Sequence, residues 1–145
     1  MNETIAHYQF PFIGIVAVAV IVIFVQCTRG GKSRDVDPKE ADGMLRNRLA
    51  VVVDIREADE VKATGKAVGA LWFPTSKIEA NGDEWQQFKA TLPKDKMVVL
   101  YCAVGGRAGR VAKQLSAEGY DTGNMGGLKH WTKAGLPTEP CPDCR

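Results

Sequence analysis

Met97-Val98-Val99-Leu100-Tyr101-Cys102-Ala103-Val104-Gly105-Gly106-Arg107 sets an apolar run against a cysteine and a glycine- and arginine-rich turn. Ala108, Val111, Ala112 and Leu115 follow at spacings of three and four, marking one apolar face of a helix. The stretch therefore predicts a strand that ends at Cys102 and a helix that opens just after it. Helix N-termini present unpaired N–H groups and partial positive charge, and both stabilise a thiolate. Arg107 and Arg110 add full charges, completing an environment that lowers a cysteine pKa into the reactive range. Gly105 and Gly106 permit positive φ, so that successive amides can turn inward as an anion-binding nest. A buried cysteine acting as a small hydrophobe is the commoner fate of a free thiol. The paired glycines and arginines argue against it here.

Further toward the N-terminus, Asp37 and Pro38 supply a cap and a first-turn proline. Ala41, Met44, Leu45 and Leu49 give the helix they open, ending near Arg48, a buried face. Ala50-Val51-Val52-Val53, closed by Asp54, is a short β-branched run of the kind covered on both faces in a parallel sheet. Glu57 to Lys62 reads as a helical turn, Gly65 and Gly69 break the chain, and Ala70-Leu71-Trp72-Phe73 before Pro74 reads as a strand. Asn81 or Asp83 caps a helix carrying Trp85, Phe88 and Leu92, which Pro93 ends. After the helix from Arg107 or Ala108 to about Glu118, a last strand falls within Tyr120 to Met125, very short or bulged at Gly123. This alternation predicts an α/β domain with a mainly parallel sheet, whose sites lie beyond the carboxyl ends of the strands. Asp54 and Cys102 both occupy such ends.

A chain of 145 residues with 45% hydrophobic and 25% charged side chains fits one folded domain. Its net charge of +2, with basic and acidic residues intermixed, argues against a nucleic-acid partner. Phe10 to Val25 contains no charged residue, and residues 10–27 with their polar flank approach the ~20 residues of a membrane helix. No Lys or Arg precedes the run, no small-residue cleavage pattern follows it, and Gln26 is too bulky for a lipoprotein signal at Cys27. An uncleaved single-pass anchor is therefore expected. Arg29, Lys32 and Arg34 come after it, which by the positive-inside rule puts the soluble domain on the cytoplasmic side. Residues 1–9 then form a short tail, 28–36 a flexible linker, 37–138 the domain and 139–145 a C-terminal tail.

Three stretches in order resemble the rhodanese family of single-domain sulfurtransferases, across roughly Asp37 to Pro137. The first is Val53-Asp54-Ile55-Arg56-Glu57 with Glu60, Gly65 and Gly69-Ala70; the second is Cys102-x-x-Gly105-x-Arg107. The third is Gly126-Gly127-x-x-x-Trp131-x-x-x-Gly135-x-Pro137. The resemblance implies a rhodanese-like α/β fold, with a five-stranded mainly parallel sheet flanked by helices. It also implies ping-pong transfer of sulfane sulfur, with thiosulfate as a typical donor and cyanide or a thiol as acceptor. On that footing Cys102 is the nucleophile and sulfur carrier, and Arg107 orients the loop and adds charge. The amides of Ala103, Val104, Gly105, Gly106 and Arg107 surround the persulfide, and no cofactor or metal is expected. The related cysteine phosphatases and arsenate reductases have one more loop residue; the four between Cys102 and Arg107 favour sulfur over phosphate. Lys66-Ala67-Val68 departs from the family's frequent His-Ile-Pro, and Ala108 stands where Ser is common.

Arg110 is read as steering an anionic donor, with a solvated helix residue as the equal alternative. Asp54 and Arg56 are read as a structural ion pair, Trp72 and Trp131 as packing residues, His130 as a surface residue and His7 as interfacial. Cys141-Pro142-Asp143-Cys144 is half of a zinc site at most, and reducing conditions would keep it as thiols. Such a tail either accepts or resolves the Cys102 persulfide, or is disordered with incidental cysteines. Two rivals to the enzyme are a non-catalytic rhodanese-like module binding a membrane partner and a dithiol oxidoreductase using Cys141 and Cys144.

Overall fold

A computed structural model describes residues 31–144. The expected anchor at 10–27, the tail at 1–9 and the start of the linker lie outside the described residues. Among the described residues no helix is long and apolar enough to cross a membrane. The elements in chain order are β1 (Ser33–Asp35), α1 (Pro38–Arg46), β2 (Ala50–Asp54), α2 (Ala58–Thr64), β3 (Lys66–Ala67), β4 (Leu71–Trp72) and α3 (Thr75–Ala80). There follow α4 (Asp83–Thr91), β5 (Met97–Cys102), α5 (Gly106–Ala117), β6 (Thr122–Gly127), α6 (Leu128–Lys133) and β7 (Thr138–Glu139). The main sheet has the order β1-β6-β5-β2-β4, and every pair in it is parallel. β3 and β7 form a separate antiparallel pair.

Successive side chains of a strand point to opposite faces, and β5 obeys this strictly. Val98, Leu100 and Cys102 join the cluster of Ile78, Trp85, Val111 and Leu115 under α3, α4 and α5. Val99 and Tyr101 join Ala41, Leu128 and Trp131 under α1 and α6. Both faces of the sheet are thus covered, which explains why β2 and β5 read as unbroken apolar runs. The helix starts follow the expected chemistry. Asp37 caps α1 by accepting from the Lys39 amide at 2.9 Å, and Glu57 and Glu60 form a capping box on α2.

Three expectations need correction. Residues 33–35, read as linker, are the edge strand β1, paired Ser33 to Thr122 through Asp35 to Asn124. Residues 139–145, read as a loose tail, begin inside β7, and Cys141 and Cys144 form a disulfide with Cys144 fully buried. The irregularity of β6 lies at Met125-Gly126, where the register against β5 passes from Leu100–Asn124 to Cys102–Gly127. Gly123 is instead a close-approach site: a Cβ there would meet Val36 Cγ2 at 2.5 Å.

Candidate active site

Cys102 closes the central strand, and its side chain is 1% exposed. Gly105 adopts φ +98°, which turns the chain back so that its N–H donates to Cys102 Sγ at 3.1 Å. Burial pushes the thiol pKa up, but amides of Ala108, Val104, Gly105 and Arg107 overcome it and hold the thiol below its ordinary value. Three of these donors flank or belong to the first turn of α5, whose amides have no intrahelical acceptor. The Val104 amide helps to lower the thiol pKa, while its side chain stands 81% exposed at the loop tip.

Arg107 is fixed by a two-pronged ion pair with Glu60, its Nη1 and Nη2 donating to Oε2 and Oε1 at 2.8 and 2.7 Å. The hydrogen bond from Arg107 holds Glu60 below the usual carboxylate range, against the opposing pull of burial. The same bond raises Arg107, with smaller contributions from the Cys102 sulfur, so the guanidinium stays charged beside the thiol. Glu60 Oε2 also accepts from the Glu57 amide at 2.9 Å, which ties the α2 cap to the Cys102 loop. Beneath lies a buried pair, Asp54 and Arg56, with Arg56 Nη2 donating to Oδ2 at 2.6 Å. Arg56 further donates to Thr64 Oγ1 at 2.8 Å and to the Gly65 carbonyl at 2.7 Å, the bracing role expected of it.

The loop rests on the end of β6. A Cβ at Gly127 would meet the Ala103 carbonyl oxygen at 2.0 Å, so this contact admits only glycine. A cavity of about 450 Å³ adjoins the loop, lined by Arg56, Glu60, Thr64, Ala103, Leu128 and Lys129 among others. Ala103 thus contributes a wall, and Gly106 opens the helix. Arg110 does not line this cavity but shares a second groove with Gly105 and Gly106 of the loop. It lies exposed, 3.4 Å from Glu79, and Arg34 and Lys113 line the same groove. Trp131 is fully buried and donates from Nε1 to the Pro137 carbonyl at 2.8 Å, while His130, exposed, accepts from the Gly127 amide.

Two participants were missed from sequence. The Ala108 amide was foreseeable from the rule that first-turn amides are unpaired. The pairing of Glu60 with Arg107 spans 47 residues, and only its capping-box spacing from Glu57 is visible locally.

A parallel sheet covered on both faces, with a cysteine cradled by amides at the end of its central strand, defines a class, and the chain belongs to it. The family match is to the rhodanese-like domain, over residues 37–134. Among its relatives are a thiosulfate sulfurtransferase, GlpE, of Actinobacillus succinogenes and a sulfurtransferase of Allochromatium vinosum. The first is 28% identical over 107 residues, covering 72% of this chain and 89% of that protein. The second is 34% identical over 100 residues, covering 64% and 86%. The crystal structure of a rhodanese-like domain protein from Staphylococcus aureus superposes with a TM-score of 0.55 at 26% identity, covering 74% of this chain and 98% of that one. These relatives support a sulfurtransferase-type function at the level of the family.

Proposed function

We propose that this chain moves sulfane sulfur from an anionic donor such as thiosulfate to a thiol or to cyanide, through a persulfide on Cys102. One observation carries the reading: Cys102 Sγ sits inside a ring of backbone amides, with the Gly105 N–H at 3.1 Å. In the first step the Cys102 thiolate attacks the outer sulfur of thiosulfate. The sulfur–sulfur bond of the donor breaks and sulfite leaves with the electron pair. In the second step the acceptor attacks the outer sulfur of the persulfide and the Cys102 thiolate departs. The amides neutralise the sulfur anion at the start, in the persulfide state and at the end, without moving. Arg107, pinned by Glu60, adds a fixed positive charge next to that ring.

The same reading keeps residues 10–27 as a single membrane span with the domain on the cytoplasmic side. It is supported by the uncharged run Phe10–Val25 and by Arg29, Lys32 and Arg34 after it. The full chain should stay with the membrane through an alkaline wash; its recovery in the supernatant would remove the anchor.

The chemistry is tested by intact-mass measurement after thiosulfate treatment. One sulfur should be gained, lost on adding cyanide, and never gained by Cys102→Ser. A folded protein that takes up no sulfur would be a binding module instead.

A further inference from the structure

We propose that Cys141 and Cys144 form a second reactive centre, a dithiol that takes the sulfane sulfur from Cys102 and discharges it as sulfide. This rests on the persulfide reading above. The two cysteines are joined in a disulfide, and they differ in surroundings: Cys144 is fully buried, whereas Cys141 is half-buried. Such asymmetry leaves one sulfur open to exchange and shelters its partner, as a working dithiol requires.

The fold also delivers this pair to one place. β7 is clamped to β3 by the ion pair of Lys66 with Glu139, and Glu139 Oε1 accepts from the Gly69 amide at 3.1 Å. The antiparallel register runs Ala67 to Thr138, then Lys66 to Glu139. The chain beyond Glu139 therefore leaves the ladder in the direction of Gly65 and Thr64. Thr64 lines the same cavity as Ala103, the first residue after Cys102. Cys141 lies two residues past Glu139, so the register carried on by two residues sets it beside Thr64, at the edge of that cavity. The transfer requires the Cys141 thiol and the outer sulfur of the persulfide to meet across that cavity.

The balance of the step is complete within the chain. The Cys141 thiolate attacks the outer sulfur, the persulfide bond breaks, and Cys102 leaves as its thiolate while Cys141 carries the new persulfide. The Cys144 thiolate then attacks the inner sulfur of Cys141, forming the disulfide and expelling hydrosulfide. The sulfane sulfur is reduced by two electrons and the dithiol is oxidised by two. An external dithiol, attacking at the more open Cys141, restores the pair.

The test uses the full chain, reduced, freed of reductant and given one equivalent of thiosulfate with no added thiol. Wild type should release one sulfide per chain, end with the tail disulfide formed, and carry no extra sulfur on Cys102. Cys141→Ser should retain the sulfur on Cys102 and release none. Cys144→Ser should carry it instead on the tryptic peptide 134–145, again without sulfide. Wild type holding its persulfide with both tail thiols free would overturn the proposal, as would sulfide release from either variant. Sulfur uptake by none of the three chains would instead sink the persulfide reading on which the proposal stands.

Discussion

Replacing Gly127 by Ala should leave the domain folded and disable the loop. The added Cβ would sit 2.0 Å from the Ala103 carbonyl oxygen, about 1.3 Å short of an ordinary carbon–oxygen approach of ~3.3 Å. Since Gly127 belongs to β6 and is paired with Cys102 across the sheet, the loop is the side that must yield. A displacement of that size in a reactive constellation costs on the order of 100-fold in rate. The assay is the initial rate of thiosulfate-to-cyanide sulfur transfer, taken with a thermal melt to show that the fold persists. Gly43→Ala is the matched control: it lies within α1, nothing stands within 4 Å of its added Cβ, and it should gain about 0.5–1 kcal/mol with its rate intact. A Gly127→Ala protein working at the wild-type rate would refute the idea that this contact sets the amide ring.

Other consequences follow from the charges. Glu60→Gln should cost about 1 kcal/mol at neutral pH, a partly exposed pair being worth no more, and should slow sulfur loading severalfold by loosening Arg107. Because Arg107 lowers the folded pKa of Glu60, its stabilisation is full above the unfolded pKa of about 4.3 and disappears as pH falls through the folded value. Urea midpoints of wild type and Glu60→Gln should therefore converge in acid; an equal gap at all pH values would exclude the ion pair as its source. Asp54→Asn strands the buried Arg56 and should cost about 3–5 kcal/mol in urea unfolding, and a loss below 1 kcal/mol would mean Arg56 finds water. The rate of Cys102 alkylation should rise with pH around a midpoint below that of a free thiol, and a midpoint above it would show that burial wins over the amides.

What the chain reveals of itself depends on how local each signal is. β2 and β5 are legible because burial on both faces demands an uninterrupted apolar run, and α5 because its apolar face repeats at helical spacing. β1 is not: Ser33-Arg34-Asp35 is fully exposed at the sheet edge, where charge is what discourages further pairing. α3, with the polar sequence Thr75-Ser76-Lys77-Ile78-Glu79-Ala80, buries only Thr75 and Ile78 and shows no stripe. The clip of β3 with β7 joins residues more than seventy positions apart through two rungs, too few to impress a pattern on either. In the site, the Cys102 loop is written in a handful of adjacent residues. Its supports, Glu60 beneath Arg107 and Gly127 beneath Ala103, are consequences of topology and emerge only when distant segments meet.

The place of β5 in the middle of the sheet has a bearing on how long a sulfur cargo would keep. Persulfides are perishable in air. The strand that bears Cys102 is hydrogen-bonded on both sides and packed on both faces, which puts it among the last segments to open in local unfolding. Oxidants therefore have to wait for rare global excursions or enter by the loop, and an acceptor must come to the sulfur. On the persulfide reading, and while the tail pair is oxidised, such a domain would keep its charge between loading and emptying, so its supply of sulfur need not keep pace with demand.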